Sequence, residues 1–401
     1  MVYKPRFFTG KMDIHNYKRQ FERQLELIDD NKDISKENKQ IIIQFKDYLL
    51  SEGIGFAKIG RYLLDLRKYA LILKKPFPDA TEQDLRRIIG ELNQTDLAEE
   101  TKKTFKIMLR KFYRFIRGVT KNGQYPSEVE WISIAIPNNH KKLPEELLTE
   151  EEILKIIQKC GTLRDKALIA TLAESGCRIG EVGSMKVKHV SFEEHGARIT
   201  VGGKTGMRKI LVINSAPYLQ EWINQHPTNE NSDSCLWCGN NTEAISYARI
   251  SCILKAAVKK AEIKKRVYPH LFRHSRATIL ANKMSDSGLK NYLGWTQASK
   301  MAGIYIHMSG KDSDEAILKM NGIEIKKEKV ESLMKPIKCL KCRTINEVTN
   351  RFCKICGMPL NDEEAAKIIR ADTDRQQADN IMDKLIKDPE ILELIKAKLS
   401  S

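Results

Sequence analysis

The spacing of apolar residues changes period twice along the chain, and this change constrains the fold more than any other feature. From Ser35 to Arg117, apolar side chains recur at helical spacing and predict a run of four helices. Ser35 is placed to cap the first of these helices, and Thr81 with Asp84 forms a variant capping box at the third. Between Val190 and Ile213 the pattern changes to short strand-like runs joined by glycine turns, and helical spacing then returns. The sequence therefore predicts a mainly α protein with a small antiparallel β-sheet.

The charge balance indicates a polyanionic partner. The 401 residues include 69 Lys and Arg against 52 Asp and Glu, which gives a formal net charge of +17. Basic side chains neutralise phosphates and release counterions, although a solvated surface that only aids solubility accounts for the charge equally well. No run of residues resembles a signal peptide or a membrane span, so we expect a soluble, cytoplasmic protein with no membrane partner.

Residues 1–118 are predicted to form a helical DNA-binding domain without chemistry of its own. The fourth helix, after Thr101, carries an apolar stripe, and cations cover much of its remaining surface: Lys102, Lys103, Lys106, Arg110, Lys111, Arg114 and Arg117. So many cations repel one another unless an anion lies nearby, and we interpret this face as a contact surface for a phosphate backbone. For any single residue, a solvated basic face is an equally good interpretation. Residues 119–146 lose periodicity and are predicted to be a linker.

Residues 147–312 are predicted to form a second domain, of mixed α+β structure. Thr149 and Glu152 form a capping box at its first helix. A later helix ends at Gly176, a residue suited to a left-handed helix end, so Arg178 would be held at a turn with Glu181 as an available partner. Lys204 falls at the tip of a glycine-rich hairpin, where a lysine taken alone is more often simply exposed.

A group of chemically active residues lies near the end of this second domain. In order, they are His270, Arg273, His274, a Gly294-Trp295 turn and Tyr305. Residues three apart on a helix share a face, so His270 and Arg273 would act together. A phenol close to such groups resembles a nucleophile that faces an anion site, whereas a buried core aromatic is the alternative for Tyr305 considered in isolation.

Taken together, these motifs strongly resemble the tyrosine recombinase, or phage integrase, family over roughly residues 35–310. They are the Gly-x-Arg-x-x-Glu turn at Arg178, Lys204, the His-x-x-Arg-His cluster, Trp295 and Tyr305. The resemblance implies a helical core-binding domain followed by a tyrosine-recombinase catalytic domain. It implies that Arg178 and Arg273 hold the scissile phosphate, that His270 transfers a proton, and that Tyr305 attacks phosphorus. Lys204 would protonate the departing 5′ oxygen, and the indole N–H of Trp295 would donate to a phosphate oxygen.

The same resemblance implies a site-specific recombinase that cuts and rejoins double-stranded DNA through a 3′-phosphotyrosyl intermediate and a Holliday junction. It would work as a homo-tetramer on two recombination sites, without ATP or a catalytic metal, and would lie with the nucleoid when bound to DNA. One departure concerns the nucleophile, because the interval from Trp295 to Tyr305 is a residue longer than the family's commonest spacing. The alternatives are a DNA-binding protein that does not cut DNA and a monomeric type IB topoisomerase.

Beyond this domain, two Cys-x-x-Cys pairs separated by ten residues predict a zinc ribbon at residues 335–360. The four ligands would be Cys339, Cys342, Cys353 and Cys356. A closed set of four thiolates suits one structural Zn²⁺ per chain. Such tails resemble those of archaeal integrase-like proteins. Residues 361–401 are predicted to form a helical tail that packs on a neighbouring protomer or on its own ribbon, and the isolated pair Cys235 and Cys238 is interpreted as free thiols.

Overall fold

The computed structural model describes residues 13–120, 123–135, 146–203, 206–309, 317–318, 320–321, 332–387 and 389–399. The chain divides into two compact units, Met1–Leu143 and Pro144–Ser401. Helices dominate both units and the strands form small antiparallel sheets, which confirms the predicted fold class. Within these residues, every helix is too short or too polar to cross a membrane.

The described part of the first unit is helical and packs around an aromatic core. Its helices are α1 (Tyr17–Asp29), α2 (Lys36–Ser51), α3 (Phe56–Leu73), α4 (Glu82–Gln94), α5 (Glu99–Ile116) and the short α6 (Ser127–Glu130). Phe45, Phe77 and Phe112 are fully buried, and the first two each contact the Phe112 ring edge to face. These contacts join α2 and α5 to the turn that follows α3, so the aromatic side chains hold the unit together.

Local capping signals correctly predict where several of these helices begin. Oγ of Ser35 accepts a hydrogen bond from the backbone N–H of Asn38 at the start of α2, and the capping box of Thr81 and Asp84 is complete at α4. Helix α1 lies outside the predicted helical run. Its sequence is polar overall, but Phe21, Leu25 and Ile28 recur at helical spacing and pack in the core, so this helix carries a sequence signal that the prediction omits.

Part of the predicted linker is instead structured. Val129 and Ile132 are almost fully buried in the core of the first unit, and Pro126 precedes the single turn of α6 that places them there. Two apolar residues three apart are too few to show a period, which is why the linker prediction for residues 119–146 is wrong over 123–135. The boundary between the two units falls after Leu143, among residues outside the described part of the chain.

The second unit places a small sheet and several helices around a buried helix. The order is α7 (Glu150–Gln158), α8 (Leu163–Ser175), α9 (Ile179–Gly183), β1 (Val190–Glu193), β2 (Gly196–Gly203), β3 (Gly206–Val212), α10 (Ala216–Asn224), α11 (Tyr247–Lys260), α12 (Pro269–Ala281), α13 (Asp286–Leu293) and α14 (Met301–Ser309). Almost every residue of the second half of α8 is buried. This helix is therefore the centre of the second unit.

The strands form an antiparallel sheet in the order β1-β2-β3, as the change of apolar period predicts. Ile199 pairs with Val190 on one side and with Ile210 on the other. Glu174, at the end of α8, accepts hydrogen bonds of 2.7–3.0 Å from three successive backbone N–H groups at residues 213–215 and from the Ser215 hydroxyl. One buried carboxylate thus ties the turn after β3 to the central helix.

The C-terminal part of the second unit consists of a short hairpin and two helices. The hairpin pairs β4 (Ile337–Lys338) with β5 (Ile345–Asn346), and α15 (Asp362–Ile386) and α16 (Pro389–Leu399) follow. Lys354 lies 3.3 Å from Glu221 of α10, so the hairpin region contacts the helical core. Glu364 is buried and pairs with Arg351 at 3.6 Å, which attaches the first turn of α15 to the ribbon. Beyond that turn, α15 is exposed along most of its length.

Candidate functional site

Arg273 is positioned by the first turns of α12 and is 4% exposed. One of its Nη atoms donates to the backbone oxygen of Gly176 at 3.0 Å, and the other donates to that of Leu293 at 2.7 Å. Burial, and next the charge of Arg178, lower the pKa of Arg273 to about 10. The guanidinium therefore remains a cation at neutral pH, and it lies between the ends of α8 and α13.

Arg178 reaches the same place from the start of α9. Gly176 ends α8 in the left-handed conformation with φ 59°, as predicted, and the chain then turns so that Arg178 is the N-cap of α9. The guanidinium pairs with Glu181 at 2.9 Å and lies 3.4–3.5 Å from the backbone oxygen of Gly294. Because Leu293 and Gly294 are consecutive, the two arginines meet at the end of α13.

Tyr305 lies in α14 beside these arginines and is 3% exposed. Its ring stacks on Trp295, with the ring centroids 5.6 Å apart and an interplanar angle of 8°. The guanidinium carbon of Arg273 lies 5.3 Å from the centroid of the Trp295 ring. The Trp295 ring is thus in contact with both the phenol and an arginine.

A histidine holds the phenol from the other side. The Tyr305 hydroxyl is hydrogen-bonded to Nδ1 of His274. Burial raises the pKa of Tyr305, and the positive charge of Arg273 opposes this only in part. The hydroxyl therefore stays protonated at neutral pH unless a base removes its proton.

The other two predicted site residues are His270, which the structure describes, and Lys204, which it does not. The ring of His270 lies one turn before His274 on α12, with the two ring centroids 6.1 Å apart, so the histidine bonded to the phenol is His274. Lys204 lies outside the described residues. Gly203 and Gly206, the described residues before and after it, pair with each other at the ends of β2 and β3.

Two residues of this site were not assigned from sequence. His274 has a signal, since it follows His270 by four residues and shares its helix face. Arg208 has none, because an arginine on a short strand is common on solvent-facing edges. Its Nε donates to the backbone oxygen of Tyr292 at 3.0 Å, and its guanidinium pairs with Glu181 at 2.8 Å.

The four predicted zinc ligands come together in the C-terminal hairpin region. The Sγ atoms of Cys339, Cys342, Cys353 and Cys356 all lie within 4.8 Å of one another. Tetrahedral Zn²⁺ with Zn–S bonds near 2.3 Å needs sulfur atoms about 3.8 Å apart. Two Sγ pairs lie at 3.4 and 3.5 Å, and the side-chain amide of Asn346 donates to Sγ of Cys353 at 3.7 Å. The geometry fits a metal held by four thiolates.

The predicted DNA-contacting cations on α5 divide into two groups. Lys102 is buried and pairs with Glu99, Lys111 pairs with Glu52, and Arg117 pairs with Glu128. Carboxylates of the first unit thus pair with at least three of the seven cations, so the mutual repulsion on this helix is smaller than its sequence predicts. The remaining four are Lys103, Lys106, Arg110 and Arg114, of which the last two lie over the ring of Tyr125 at 3.8 and 5.4 Å.

Comparison with known proteins indicates the family that this chain resembles. The model of the phage integrase family matches residues 146–311. The tyrosine recombinase of Thermosipho africanus is 26% identical over 296 residues, covering 70% of this chain and 99% of the relative. Tyrosine recombinase XerA of Pyrococcus horikoshii is 28% identical over 291 residues, covering 72% of this chain and 95% of the relative.

Solved structures share the fold at lower identity. The XerH site-specific recombinase in a post-cleavage complex with a palindromic difH substrate superposes with a TM-score of 0.54 at 20% identity, covering 80% of this chain and all of that chain. A lambda integrase dimer bound to a COC′ core site superposes with a TM-score of 0.54 at 17% identity, covering 78% of this chain and 89% of that chain. The family match over residues 146–311 and the relatives support membership of the tyrosine recombinase, or phage integrase, family, whose members cut and rejoin DNA at specific sites.

Proposed function

We propose that this protein is a site-specific DNA recombinase that uses Tyr305 as its nucleophile. The observation that carries the proposal is the meeting of Arg178, Arg273, Trp295 and Tyr305 at the end of α13, with a histidine on the phenol. A phosphodiester is an anion that gains charge as the phosphorus becomes pentavalent, and two fixed guanidinium groups match its oxygens.

In the proposed reaction, Arg178 and Arg273 exchange their backbone carbonyl partners for the non-bridging oxygens of the scissile phosphate. The Tyr305 hydroxyl donates its proton to Nδ1 of His274 while its oxygen bonds to phosphorus. His270, the residue named by the family pattern, is the competing candidate for this proton transfer. The indole N–H of Trp295 donates to a phosphate oxygen.

The P–O bond to the 5′ oxygen then breaks, and Lys204 supplies the proton that turns this oxygen into a free hydroxyl. The phosphate remains linked through its 3′ oxygen to Tyr305, so the bond energy of the phosphodiester is kept and ATP is not required. Attack by the 5′-hydroxyl of a partner strand reverses these steps and exchanges the strands. Two successive exchanges pass through a Holliday junction.

We further propose that the protein acts as a homo-tetramer on two sites in double-stranded DNA, in the cytoplasm. Support comes from a lambda integrase tetramer bound to a Holliday junction, whose fold this chain shares with a TM-score of 0.52 at 17% identity. The stacking of Tyr305 on Trp295 of its own chain favours cleavage by the protomer that holds the phosphate. Lys103 and Lys106 are the strongest candidates for backbone contacts, because they have no ion-pair partner among the described residues.

The proposed catalytic domain extends to about residue 312, followed by the ribbon at 335–360 and the helical tail at 361–401. In the ribbon, Cys339, Cys342, Cys353 and Cys356 would hold one Zn²⁺ per chain. Four thiolates leave no open coordination position, so the metal would have a structural role. The ribbon's contact with α10 through Lys354 and Glu221 supports a role in stabilising the second unit.

The test uses a pool of random-sequence duplexes that each carry one nick. Cleavage beside the nick releases a short 5′-hydroxyl fragment, so a covalent protein–DNA adduct accumulates and the attached strand can be sequenced. Wild-type protein should yield adducts enriched in one sequence, and Tyr305→Phe should yield none. Adducts with Tyr305→Phe would refute the nucleophile assignment.

The outcomes also separate the alternative functions. Adducts without sequence enrichment, together with relaxation of any supercoiled plasmid, would indicate a type IB topoisomerase. Binding to duplex DNA without adducts from wild-type protein would indicate a DNA-binding protein that does not cut.

A further inference from the structure

Arg208 lies at the junction of three elements of the catalytic site. It is the third residue of β3, and its side chain is 13% exposed. Its Nε donates to the backbone oxygen of Tyr292 on α13, and its two Nη atoms donate to the two carboxylate oxygens of Glu181 on α9, at 3.3 and 2.8 Å. None of the steps proposed above uses this guanidinium.

Glu181 is shared between Arg208 and Arg178. It is 4% exposed, and its carboxylate also accepts from the backbone N–H of Arg178 at 3.0 Å and from the Arg178 guanidinium at 2.9 Å. Burial alone would raise the pKa of Glu181, but the hydrogen bonds and charge of Arg208, and then the hydrogen bonds of Arg178, hold this pKa below its usual value. One negative charge therefore faces two positive charges, and one positive charge is left over.

Two glycines provide the space for this arrangement. A Cβ at Gly203 would lie 2.3 Å from a carboxylate oxygen of Glu181, and a Cβ at Gly294 would lie 2.6 Å from Nη1 of Arg208. Gly294 also has φ 63°, which L side chains rarely adopt. The chain thus approaches the Glu181–Arg208 pair closely from β2 and from the end of α13.

We propose that Arg208 is a positioning residue that neutralises Glu181, so that Arg178 is free to turn its guanidinium towards the DNA phosphate. Without Arg208, Arg178 is the one cation among the described residues that is hydrogen-bonded to the buried carboxylate. Leaving that carboxylate unpaired is costly, so Arg178 would be held away from DNA. This inference rests on the proposed function, in which Arg178 binds the phosphate. In this view the site keeps a net positive charge because more than one arginine faces the single carboxylate of Glu181.

The test is a double-mutant cycle with full-length protein carrying Tyr305→Phe, which removes cleavage from the measurement. The affinity for the random-sequence duplex pool is measured by fluorescence anisotropy. Arg208→Met should weaken binding by about tenfold or more, because Arg178 could then turn to the phosphate only by leaving the buried Glu181 carboxylate without a hydrogen-bonded cation. In a Glu181→Gln background, the same substitution should weaken binding by less than about threefold.

The matched control is Arg198→Met. Arg198 lies on the same sheet and pairs with Glu193 at 2.6 Å, but both side chains are well exposed. This variant should bind DNA as the parent does. Thermal unfolding of each variant identifies any that fail to fold, and Arg208→Lys, which keeps the charge, should recover part of the affinity.

The proposal would be overturned if Arg208→Met lowered DNA affinity equally with Glu181 intact and in the Glu181→Gln background. That result would mean that Arg208 only binds the Tyr292 carbonyl and stabilises the fold. Because the cycle uses protein that cannot cleave, its result is independent of whether wild-type protein forms adducts. Failure of the proposed function would appear in the adduct experiment, and failure of this inference would appear in the cycle.

Discussion

The contact between His274 and Tyr305 leads to the sharpest prediction about catalysis. We expect His274→Ala to lower the rate of adduct formation at pH 7 and to change how that rate depends on pH. The reason is the environment of the phenol, which is 3% exposed and bonded to Nδ1 of His274. The family pattern instead names His270, whose ring is one turn away.

The expected size follows from the ionisation of the phenol. A tyrosine of ordinary pKa near 10 is a phenolate in only about one molecule in a thousand at pH 7. Burial raises the pKa of Tyr305, so its phenolate is rarer still. A positioned base typically contributes about 10²–10⁴ to the rate. We therefore expect His274→Ala to slow cleavage by about 100-fold or more at pH 7.

The pH profile distinguishes loss of a base from loss of structure. Because the pKa of Tyr305 is raised, the phenolate fraction of the variant increases about tenfold per pH unit from pH 7 to 9 without reaching a plateau. The rate should rise in parallel, and the deficit relative to wild type should shrink as the pH rises. A merely misfolded variant would show a deficit that does not depend on pH.

The assay is single-turnover adduct formation on a nicked duplex recovered from the pool, resolved on denaturing gels between pH 6 and 9. His270→Ala is the matched control on the same face of α12. If His270→Ala shows the steep pH profile and His274→Ala behaves as wild type, the reasoning from the structure is wrong and His270 is the base.

Three further predictions concern the proposed metal site, the core and the cation-bearing helix α5. Elemental analysis should find about one zinc per chain, and the double change of Cys339 and Cys353 to serine should remove it; stoichiometric zinc in that variant would refute the ligand set. Glu174→Ala removes the carboxylate that ties the turn after β3 to α8, so it should lower the free energy of unfolding of the second unit by about 3–5 kcal/mol. Urea titrations followed by tryptophan fluorescence measure this change, and a value below about 1 kcal/mol would contradict the prediction. Lys106→Ala should reduce the slope of log affinity against log salt by about 0.9, whereas Lys102→Met, at a lysine already paired with Glu99, should leave it unchanged; equal effects would show that α5 does not contact DNA through Lys106.

Local chemistry explains why parts of the fold are predictable. Helix starts at Ser35, Thr81 and Thr149 are determined by hydrogen bonds from backbone N–H groups three residues away, so they can be found without tertiary information. The four cysteines of the ribbon are recognisable because short spacings alone bring two thiols to one point. The turn at residues 127–130 escapes prediction because too few apolar residues mark it. Helix α1 does carry apolar residues at helical spacing, and the prediction omits it.

Apolar periodicity and motif order are enough to predict the mainly helical fold, the change to a small sheet, and the succession of Arg178, Arg273 and Tyr305 along the chain. Which atoms meet is a property of the packed molecule. Arg178 contacts Gly294 across 116 residues, and Arg208 contacts Tyr292 across 84. Neither pairing follows from local periodicity, because the packing of α9, β3 and α13 around the buried α8 sets both distances. The same packing places His274 against the phenol, whereas His270 lies one turn away on the same face of α12.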